Sequence, residues 1–85
     1  MNNKVLVYLE IPEINCSFDV FIPVNEVVWK IKNMLIKAAS DLIDVNLGSH
    51  EYILVNKLNG KIYKNNDLFI NTDIRNTEEL LLLSK

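Results

Sequence analysis

Cys16 and His50 are the single cysteine and the single histidine of an 85-residue chain, and so its only candidates for nucleophilic chemistry. A thiol becomes a catalytic nucleophile when an imidazole lies within hydrogen-bond reach to take its proton. Cys16 opens one extended segment and His50 precedes another, and nothing in their spacing brings them together. The expectation is a non-enzymatic protein without a cofactor, in which Cys16 is a small strand residue and His50 a solvated loop residue. A lone cysteine forms no internal disulfide, and no zinc-ligand spacing is present. Asp41, Asp44 and Asn46 gather oxygens, but without the glycine and closing glutamate of a calcium loop they predict no metal site.

With catalysis set aside, what remains is the chemistry of surfaces. The chain is 49% hydrophobic, too apolar to stay disordered and enough to build one modest core, so a single domain over residues 1–85 is expected. Its formal net charge of -2 offers no basic field for a phosphate backbone or an anionic lipid surface, which argues against nucleic acid as a partner. The terminal apolar run, Leu80 to Leu83, is far short of the ~20 residues a spanning helix needs. No direct membrane insertion is expected. The first residues lack a basic stretch followed by a long apolar one, so the reading is cytoplasmic.

Alternation of apolar and polar residues over 4–11 and 16–22, joined by Pro12-Glu13-Ile14-Asn15, predicts an antiparallel hairpin. The period then changes to 3.6. Val24, Val27, Val28, Ile31, Met34, Leu35, Ala38 and Leu42 fall on one helical arc, predicting an amphipathic helix over about 24–41 that starts near Pro23 and Asn25. A loop over 44–51 leads to a third strand at 51–56. Asn59-Gly60 predicts a type I′ turn, with positive φ at both residues, into a short fourth strand at 61–64. Residues 65–77 suit turns and a single helical turn.

The order β-β-α-β-β-turn-β predicts an α+β fold in which a mixed sheet wraps around one long helix. The leucine run is then a central strand beside the first. Successive side chains point to opposite faces, so Leu80 and Leu82 pack under the helix while Leu81 and Leu83 point away. On the same register Leu6, Tyr8, Ile53 and Val55 face outward. With no second helix to cover them, these positions predict one contiguous apolar patch. Soluble monomers seldom expose a patch of several hundred Å² unless it binds something, so the six are the expected protein-interaction site. Phe21, outward on what reads as an edge strand, together with Trp29 and Ile36 on the rim of the helix's apolar arc, are secondary candidates.

The order of elements, the apolar register and the final strand together resemble the ubiquitin-like β-grasp fold, and Phe18-Asp19-Val20, Val55-Asn56-Lys57, Lys61-Ile62-Tyr63, Leu68, Asp73-Ile74 and the leucine-rich terminal strand carry a narrower resemblance. Within that fold, they resemble the YukD-like (EsaB-like) proteins of bacterial type VII (WXG100) secretion systems. The resemblance covers essentially the whole chain. It implies a cytoplasmic, non-enzymatic accessory or regulatory subunit, with a secretion-system ATPase or membrane component as protein partner. Two other readings stand beside it. One is a self-associating structural or adaptor domain, a homodimer. The other is a modifier or sulfur carrier, which the Ser84-Lys85 ending argues against, because conjugation needs a flexible Gly-Gly tail.

Overall fold

The computed structural model describes residues 3–43 and 51–85. Strands β1 (Lys4–Ile11), β2 (Cys16–Pro23), β3 (Tyr52–Asn56), β4 (Ile62–Tyr63) and β5 (Glu78–Ser84) form one sheet in the order β2-β1-β5-β3-β4. Helix α1 (Val28–Ile43) covers one face. β1 and β5 run parallel and all other neighbours antiparallel. This is the β-grasp layout expected from the order of elements, with β5 in the middle of the sheet.

The core follows the alternation. Val7, Leu9 and Ile11 of β1, Leu54 of β3 and Leu80 and Leu82 of β5 meet Val28, Ile31, Leu35 and Ala39 of α1. Leu80 and Leu82 are fully buried, each contributing about 1.5–3 kcal/mol relative to exposure. Phe69, from the short 3-10 turn Phe69–Asn71, closes one end together with Ile74.

Three local expectations are corrected. The helix begins at Val28 rather than 24, and neither Pro23 nor Asn25 starts it: Pro23 ends β2 and Asn25 lies in the turn that follows. The cause is long-range. The first helical amides need acceptors from outside the helix, and Val28 N donates to the Asp67 carbonyl (2.9 Å) while Trp29 N donates to that of Asn65 (3.1 Å). In return the Glu26 and Val24 carbonyls accept from Phe69 N and Ile70 N, so 24–27 is held as a bridge to 65–70 and cannot wind. Second, Met34 and Leu42 are exposed, and the buried stripe is the narrower Val28, Ile31, Leu35, Ala39. Third, Asn59-Gly60 is not a type I′ turn, since only Gly60 of the pair has positive φ (+75°). The β3–β4 loop is wider, with Gly60 N donating to the Asn56 carbonyl (2.8 Å). The Asn56 side-chain oxygen accepts from Leu58 N and Asn59 N, so one asparagine organises the turn.

Candidate interaction surface

Leu81 and Leu83 point away from the helix and are half-buried, flanked by Ile53 and Val55 of β3. Ile62 of β4 stands opposite Val55 and is 56% exposed. Val55 is on this face but only 7% exposed, roofed by its neighbours, so it supports the surface rather than presenting itself. The accessible cluster is therefore Leu81, Leu83, Ile53 and Ile62. Ile62 was missed as a candidate, although its alternation with the buried Tyr63 was available in the sequence.

The expected continuity with Leu6 and Tyr8 does not hold. Lys57 Nζ sits 2.9 Å from Glu10 Oε1 and 4.0 Å from Glu79 Oε1 on the outer face. Glu10 is level with Leu81, and Glu79 with Tyr8. These three charged residues form a belt along a polar hollow of about 260 Å³. The hydrogen bond to Glu10, then its charge, raises the Lys57 pKa above its ordinary value. Beyond the belt lie Leu6, Tyr8 and, opposite Leu6, Phe21 on the edge strand β2. Tyr8 is 38% exposed and Phe21 55%. The outer face thus carries two apolar clusters rather than one.

The short motifs that carry the resemblance have a structural role. Asn56, buried on the inner side, donates from Nδ2 to Tyr63 Oη (3.2 Å) and Glu78 Oε2 (3.3 Å) while its oxygen holds the turn. Tyr63 Oη donates to Asp73 Oδ1 (2.9 Å), and Lys61 Nζ lies 3.5 Å from Asp73 Oδ2. Burial above all, with the Asp73 bond adding to it, pushes the Tyr63 phenol up to about 12. The Tyr63 hydrogen bond, then the Lys61 charge, lowers the Asp73 carboxyl below its usual range. The network fastens the β3–β4 loop to the segment leading into β5, which fixes the rows on which the outer apolar residues stand.

Trp29 and Ile36 share one side of α1, as their spacing predicts. Ile36 packs against the core and Trp29 remains 44% exposed. Together they line a groove of about 660 Å³ between α1 and the β3–β4 edge. Cys16 is buried opposite Ile11. His50, Asp44 and Asn46 lie outside the described residues. Among the described residues, no group of three His, Cys, Asp or Glu side chains is placed to hold a metal ion, and no helix is long and apolar enough to cross a membrane.

A mixed five-stranded sheet grasping one helix defines a class of small domains, and solved structures share this fold. The EccD5 ubiquitin-like domain from Mycobacterium xenopi superposes with a TM-score of 0.79 at 11% identity, over 99% of this chain and 97% of that one. A chain of an ESX-5 inner membrane complex lacking MycP5 matches with a TM-score of 0.80 at 14% identity over 99% of this chain. The present chain spans about a fifth of that polypeptide (21%). A chain of a toluene 4-monooxygenase complex matches with a TM-score of 0.73 at 10% identity, over 96% of this chain and 99% of that one. The fold is ubiquitin-like. Such different settings confirm that the fold alone does not fix a function. No protein-family model matches the chain, and a search of the curated proteins found no match.

Proposed function

We propose that the protein is a non-catalytic, ubiquitin-like interaction module, a cytoplasmic accessory or regulatory subunit of a type VII-like protein secretion system. Its partner, a secretion ATPase or a membrane component, docks on Leu81, Leu83, Ile53 and Ile62. The observation that carries this reading is an apolar cluster spanning three strands on the side of the sheet that α1 leaves uncovered. The likeness to the EccD5 domain and to a chain of the ESX-5 membrane complex supports the choice of system. Calorimetric titration against the cytosolic part of such a component tests it. Ile53→Asp and Leu81→Asp should each weaken binding by roughly tenfold or more, since desolvated apolar anchors dominate such interfaces, while circular dichroism stays unchanged. Binding that survives both substitutions refutes the reading. Phe21, exposed on the open edge of β2, favours a homodimer as the second reading. Light scattering after size exclusion decides it: a monomer that Phe21→Lys leaves unaltered removes it.

A further inference from the structure

The groove beside α1 has a different character from the outer face. β4 pairs with β3 only at Leu54 and Val55, so among the described residues no strand flanks the β3 edge at Tyr52. Lys32, from α1, reaches across and donates from Nζ to the Tyr52 carbonyl at 2.7 Å. Trp29 and Ile36 form one apolar wall, and Ile53 and Ile62, which also belong to the outer apolar cluster, stand on the other. The charged side chains that line the groove are three lysines (Lys32, Lys64 and Lys85) against Glu51, whose carboxylate is already 3.7 Å from Lys85 Nζ. In a chain of net charge -2, this is a local excess of positive charge on an apolar floor.

We propose that this groove binds an extended acidic peptide segment of a partner protein, its carboxylates meeting Lys32 and Lys64 and its apolar side chains resting on Trp29, Ile36 and Ile62. Charge complementarity selects the occupant, because a neutral or basic segment would leave the lysines facing nothing or repelled. The Tyr52 carbonyl, now held by Lys32, is the acceptor that the edge offers to a peptide N–H. On entry, the Lys32 ammonium transfers to a peptide carboxylate and frees that acceptor. Partial burial and the neighbouring Lys85 already lower the Lys32 pKa, so its charged form gains from an incoming anion.

Trp29 is the only tryptophan of the chain and sits in the groove, so its fluorescence reports occupancy directly. The probe is a short synthetic peptide alternating valine and glutamate, with a valine–lysine peptide as control. A saturable blue shift is expected with the acidic peptide only, weakening as salt rises. Lys64→Glu, on an exposed side chain that can change without disturbing the core, should reduce affinity roughly tenfold, and adding Lys32→Glu should reduce it further. Leu81→Asp, at a residue that does not line the groove, should leave the response unchanged, which separates this site from the β5 part of the outer face. An equal response to the basic peptide, no saturable response to the acidic one, loss of the response in Leu81→Asp, or self-association that buries Trp29 would each overturn the proposal.

Discussion

Leu80 and Leu82 differ from Leu81 and Leu83 in nothing but the direction of their side chains. They are the same residue type, in one strand, one position apart, yet the first pair is sealed under α1 and the second stands half-covered on the far side. The inner pair is held by a helix and by residues from every part of the chain. Among the described residues the outer pair has lateral neighbours, Ile53 and Val55 of β3 on one side and, level with Leu81, Glu10 of β1 on the other. Hydrophobicity therefore does not assign a role here. The same leucine is sealed in the core or left at the surface according to which face has a cover.

The sharpest way to break this contrast is truncation. Leu80→Ala or Leu82→Ala should cost about 2–5 kcal/mol in urea denaturation, through lost burial and a residual cavity. Leu81→Ala should cost under ~1 kcal/mol, because its neighbours close over it and water already reaches it. Equal losses would mean that the two faces are equally structural.

Polar groups should divide the same way. Asn56→Ala removes a buried amide that bonds four groups, two of them backbone amides of the turn. It should destabilise by about 2–3 kcal/mol, and amides of the β3–β4 loop should lose hydrogen-exchange protection. Tyr63→Phe should cost less, about 1 kcal/mol, and its pH signature is the stronger test. The Tyr63 pKa is raised from 10.0 to about 12 in the folded state. Its contribution is complete below the unfolded value and is lost as pH rises through the folded one. Alkaline titration should therefore show stability falling between pH 10 and 12 in the native protein and less so in Tyr63→Phe. Asp73 has the opposite sign: its lowered pKa gives a contribution present above the ordinary carboxyl range and lost as pH falls below it. Asp73→Asn should flatten the acid limb.

The smallest effect belongs to the outer face. Lys57→Ala breaks contacts to Glu10 and Glu79 that are water-exposed, and should change stability least of these variants, the difference vanishing at high salt. A larger loss would make the belt a structural element rather than a divider between two apolar clusters.

The strand register was legible because alternation is a local signal: β1 spans the expected residues 4–11, and the fate of each terminal leucine followed from its parity. The helix start was not, because its acceptors are the Asp67 and Asn65 carbonyls, far away in the chain. Met34 and Leu42 satisfied the helical period but lie past the edge of what the sheet covers. The outer site was half legible. Ile53, Leu81 and Leu83 followed from parity, whereas the split from Leu6 and Tyr8 depended on Lys57 meeting Glu10 across 47 positions of sequence.

The amino-acid order by itself determined which side chains share a face, since a pleated strand repeats every two residues and a helix every 3.6. Only the tertiary structure decided which faces are covered, where the helix winds, and how the lysines gather at the edge of β3. Those outcomes depend on groups brought together by folding, and a sequence pattern carries no record of distances between elements.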